Sequence, residues 1–87
     1  MPFRLDDLLH ILDQAMALQG RARSFTESTP LLGALPELDS MAVVQVLEGI
    51  ESHYGLMLDD AAVSAEVFAT VGSLAGFVQS SLARPGA

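Results

Sequence analysis

A chain of 87 residues has room for one domain around a single core, which excludes a roomy catalytic cleft built between layers. Eleven acids stand against four arginines and no lysine, for a net charge of −7, so nucleic acid is repelled and basic protein surfaces are the natural partners. Apolar residues make up 51%, too many for a disordered tail, and the absence of cysteine excludes a disulfide framework and thiolate chemistry of the chain's own.

The opening Met1-Pro2-Phe3-Arg4-Leu5-Asp6-Asp7 has no apolar run resembling a signal peptide, and nothing further on approaches a membrane span. The expectation is a soluble, cytoplasmic monomer: a single domain over 1–87, with an ordered core at about 4–83 and a tail at 84–87. The first predicted helix runs from Leu5 to Leu18. Leu5, Leu8, Leu9, Leu12 and Met16 share one face, Asp6 and Asp7 sit in the first turn, and Gly20 is the stop. A long connection from Gly20 to Leu38 follows. Pro30, Gly33 and Pro36 resist a helix there, and Phe25, Leu31, Leu32, Leu35 and Leu38 offer anchors for a packed crossover.

The second predicted helix spans Ser40 to Tyr54, with Asp39 as N-cap, Val43, Val46, Leu47, Ile50 and Tyr54 inward, and Gly55 at the stop. Asp60 to Phe68 is long enough for a short helical turn, with Ser64 as cap and Phe68 as core plug. A last helix follows Thr70, placing Val71, Leu74, Ala75, Val78 and Leu82 on one face before Arg84-Pro85-Gly86 ends it. No repeat and no alternating strand pattern appears. The fold class is therefore all-α, a bundle of three long helices plus one short helix.

Chemistry-bearing residues are few. His10 and His53 are far apart with no ligand spacing, and Asp59-Asp60 lacks the alternating ligands of a calcium loop. No metal site and no catalytic residue is expected. Met16, Met41 and Met57 read as packing fillers, and Phe68 and Phe77 as core. Ser40 stands apart, presented at a helix N-terminus where backbone N–H groups and the helix dipole favour an incoming phosphate. Taken alone, an Asp-Ser pair before a helix is an ordinary capped start. A serine hydrolase would need a base, an oxyanion site and a cleft that this length does not supply.

Leu38-Asp39-Ser40-Met41, followed by Val43-Val44-Gln45-Val46-Leu47-Glu48, resembles the attachment-site signature of acyl carrier proteins. Met41 stands where that family mostly has Leu, a volume-conserving change. Thr70-Val71-Gly72-Ser73-Leu74 resembles the segment opening the family's last helix, so the resemblance extends from Leu5 to Leu82. It implies an acyl-carrier-like bundle in which Ser40 takes a covalent 4′-phosphopantetheine from coenzyme A through a separate phosphopantetheinyl transferase. The arm's thiol would then hold acyl groups as thioesters, explaining how a chain without cysteine could serve thiol chemistry.

The partners implied are that transferase, an acyl-loading ligase or synthetase, and an acyl-using transferase or synthase. The expected docking surface comprises Glu37, Asp39, Met41, Val44, Glu48 and Glu51, extended by Asp59, Asp60 and Glu66, meeting Arg and Lys patches on those enzymes. The helix after Ser40 carries fewer acids than fatty-acid carriers do, with Ala42, Val44 and Gln45 early in it. The approach from Thr29 to Leu38 looks more like that of stand-alone bacterial carriers of specialised pathways. Two alternatives stand beside acyl carriage: a peptidyl or aminoacyl carrier, and an unmodified helical interaction protein of the same fold.

Overall fold

The computed structural model describes residues 3–58 and 63–83, and in them the chain forms three α-helices and no strand. These are α1 (Leu5–Met16), α2 (Ser40–Tyr54) and α3 (Val71–Ala83). A short 3-10 helix, Arg21–Ser24, interrupts the segment between α1 and α2. Of the short helix expected over Asp60–Phe68, the described residues 63–68 carry turns and no α-helix. Residues 59–62 lie outside the described part, and from Ser64 to Ala69 the backbone makes successive turns in which Val67, Phe68 and Ala69 donate to Ser64, Ala65 and Glu66. Phe68 nevertheless plugs the core. The expected tail at 84–87 also lies outside the described residues.

α1 ends sooner than Gly20 suggests. Ala17 turns left-handed at φ 53, its N–H donates to Gln14, and the Leu18 N–H reaches back 3.0 Å to Asp13. This paired closure satisfies the last carbonyls of the helix. It is tolerated on an alanine because it drives Leu18 into the core, where it is 1% exposed. The chain's preferred glycine is thus displaced by a packing gain.

α1 and α2 run antiparallel. Asp7 meets His53 and Ile11 meets Gly49, so positions rise along one helix as they fall along the other. The inward face of α2 is Ala42, Val46, Ile50 and Tyr54, a strict fourfold spacing. Val43 and Leu47, expected inward, are only half-buried, because the close contact at Gly49 rolls the Ala42 side of the helix toward α1. Ile11 joins the α1 face for the same reason, while Leu5 remains half-buried.

The loop after the 3-10 helix is laced to the start of α3. Leu31 and Leu32 donate to Ala69 and Phe68, and Val71 and Gly72 donate to Thr29 and Glu27. Pro30 and Thr70 form an isolated antiparallel bridge at the centre. Two of the free N–H groups at the α3 N-terminus are thereby satisfied. Thr70 caps the helix as expected: its hydroxyl accepts from Ser73 N–H while Ser73 Oγ accepts from Thr70 N–H, a reciprocal capping box. Leu31 and Leu38 enter the core and Phe25 and Leu35 pack at its edge. Leu32 does not: it sits in the turn that the Ala34 and Leu35 N–H groups close onto the Leu31 carbonyl, and is exposed. Met57 is exposed too and fills no core space.

Candidate functional site

The site is assembled at the N-terminus of α2. Leu38 is buried and anchors the approach. Asp39 follows in extended conformation, and its carboxylate accepts the Ala42 N–H at 2.8 Å, while its carbonyl takes the Val43 N–H that starts the helical ladder. Ser40 is the first residue of α2 and is exposed. No hydrogen bond ties its hydroxyl to another described residue, and the N–H groups of Ser40 and Met41 are not taken up by the cap. Oriented donors at a helix start beside a free hydroxyl fit the phosphate end of a phosphopantetheine arm.

Beside Ser40 the surface turns apolar. Met41 is 67% and Val44 50% exposed, and their spacing of three puts them side by side on α2. α2 has no acid in its first turn; Glu48 is exposed one turn beyond Val44.

The solution NMR structure of holo acyl carrier protein from Nitrosomonas europaea is similar to this chain at 42% identity and a TM-score of 0.85, covering 92% of this chain and 96% of that one. The chain belongs to the acyl carrier protein family. No protein-family model and no curated protein matches it. The carrier fold thus extends over essentially the whole described bundle, and no helix among the described residues is long and apolar enough to cross a membrane.

The residues expected to face partners of this carrier divide into two groups. Met41, Val44 and Glu48 are exposed along one side of α2, and Asp39 is exposed at its N-cap. Val44 and Glu48 also border a shallow groove of about 350 Å³ with Leu47, Glu51 and Val63. Glu37 and Glu51, both half-buried, are also engaged by contacts within the carrier. Glu51 accepts the Leu58 N–H at 2.9 Å, holding the chain that leaves α2. Glu37 is paired with Arg21; that hydrogen bond, followed by Glu37's own backbone N–H, holds its carboxyl below the ordinary value. Of the proposed extensions, Glu66 is exposed, and Asp59 and Asp60 lie outside the described residues.

His10 is exposed on α1, and His53 places Nε2 3.4 Å from Asp7 at the far end of the α1–α2 pair from Ser40. Met16 is core as expected, whereas Met41 is surface. Sequence reasoning passed over Arg21. Its partner is 16 positions away, and no local spacing marks it.

Proposed function

We propose that Ser40 is the attachment point of a 4′-phosphopantetheine arm and that this carrier presents acyl groups to partner enzymes from it. The observation carrying this reading is the exposed Ser40 hydroxyl, unbonded among the described residues, on the first turn of α2 directly after a capping aspartate, in a chain 42% identical to a holo acyl carrier protein. When bound, the arm supplies a thiol that holds acyl groups as thioesters. The protein's own part is presentation. Leu38 fixes the height of the approach, Asp39 orients the first turn, and the α2 N-terminal N–H groups favour the phosphodiester. No base within the chain is needed, since the phosphopantetheinyl transferase supplies the chemistry.

Met41 and Val44 give partners an apolar contact, and Asp39 and Glu48 add charge at its edge. The partners are the transferase, an acyl-loading ligase or synthetase, and an acyl-using transferase or synthase, in a cytoplasmic setting. The test is to purify the protein from its native cells and weigh it before and after neutral hydroxylamine. Loss of an acyl mass from a peptide containing Ser40 supports the reading; a peptide bearing no added group overturns it.

A further inference from the structure

We propose that Arg21 and Glu37 form a latch that positions the approach to Ser40, so that Glu37 serves presentation of the serine rather than docking of a partner. The proposal rests on Ser40 being the modified residue. The latch begins at the end of α1. The Leu18 carbonyl accepts both the Arg21 backbone N–H, at 3.2 Å, and Arg21 Nε, also at 3.2 Å. Those two bonds fix the direction of the guanidinium, and Leu18 itself is held in the core.

Arg21 Nη2 then donates to Glu37 Oε2. The other oxygen, Oε1, is shielded from solvent and makes no hydrogen bond among the described residues, so although the side chain keeps 30% exposure, one oxygen is committed to Arg21 and the other is covered. The Glu37 carbonyl accepts the Asp39 N–H at 3.1 Å, and Asp39 in turn caps α2. A continuous run of contacts thus leads from the α1 terminus to the residue before Ser40. The segment it crosses has no regular structure of its own between Leu35 and Leu38. Without the latch, one buried leucine and one cap would have to hold the serine in register.

Charge points the same way. In a chain of net −7, Arg21 forms the one arginine–carboxylate ion pair among the described residues, with a glutamate three positions before the serine. Neutralising Glu37 there lowers the negative potential facing an incoming phosphate.

The test is a double-mutant cycle with Arg21→Gln and Glu37→Gln, plus Arg21→Lys, assayed for phosphopantetheinyl transfer and for amide exchange across 38–42. Each Gln variant should raise the KM for the carrier about three- to tenfold with kcat little changed. The double variant should be no worse than either single, Arg21→Lys should recover part of the loss, and exchange should quicken at 38–42 but not in α3. Additive effects, or an unchanged KM with a modified wild type, would overturn the latch. If the wild-type protein takes no arm, the Ser40 reading fails by itself, and unchanged exchange in the variants would separately overturn the latch.

Discussion

Ile11 lies so tightly over Gly49 that a Cβ on the glycine would come within 2.9 Å of Ile11 Cγ2. That atom belongs to a β-branched side chain inside a helix, which has little freedom to swing aside. The α1–α2 spacing, and with it the roll that brings Ala42 inward and leaves Val44 at the surface, depends on this contact. Gly49→Ala should therefore lose about 1–2 kcal/mol by overpacking, even though alanine is the better helix former. In an Ile11→Ala background the clash is gone, and the same change should gain up to about 1 kcal/mol. Chemical denaturation of the four proteins checks this reversal of sign.

Gly72 and Gly76 make an internal comparison within α3. A Cβ on Gly72 would lie 2.9 Å from the Glu27 carbonyl oxygen, which also accepts the Gly72 N–H at 2.7 Å. Backbone cannot rotate away as a side-chain tip can, so Gly72→Ala should cost about 1–3 kcal/mol and loosen the loop at 26–32. Gly76 has open space around it, and Gly76→Ala should stabilise by about 1 kcal/mol. Melting temperatures moving in opposite directions would bear this out.

Ala17 carries the left-handed closure of α1 at φ 53, where glycine is the unstrained residue. Ala17→Gly should raise stability by up to about 1 kcal/mol, because the αL strain exceeds the extra chain entropy of glycine. A melting temperature a few degrees higher, with an unchanged helical spectrum, is the expected result.

Much of the fold is legible because its signals are local. Asp39 and Gly55 bracket α2, and Thr70 caps α3, each through bonds to residues three or four positions away. The features that escape the sequence are those made across the bundle. Nothing near Gly49 says that Ile11 will press on it, and nothing near Ala17 says that burying Leu18 outweighs the pull of Gly20. At the site, Ser40, Met41 and Val44 are readable from position on one helix face. The internal contacts of Glu37 and Glu51 are not, since Arg21 and the Leu58 N–H reach them only in the folded chain.

Tyr54 offers a clean alkaline probe, as the chain has one tyrosine and no lysine. Burial and then the nearby Asp7 carboxylate raise its pKa above the ordinary 10.0. A raised value in the folded state means that the native protein holds the phenolic proton after the unfolded chain has released it. The corresponding stability is fully present below about pH 10 and is lost as pH rises through the folded value. Ultraviolet titration should show late ionisation. The alkaline fall in stability should shrink in Tyr54→Phe, and an equal fall in both proteins would contradict the assignment.

The central claim is that Ser40 is the tether. The most direct measurement is intact-protein mass spectrometry after incubation with a broad-specificity phosphopantetheinyl transferase, magnesium and coenzyme A, on the wild type and on Ser40→Ala. One phosphopantetheine added to the wild type and none to the variant is the predicted result. An unmodified wild type, or an arm that persists in Ser40→Ala, would contradict it.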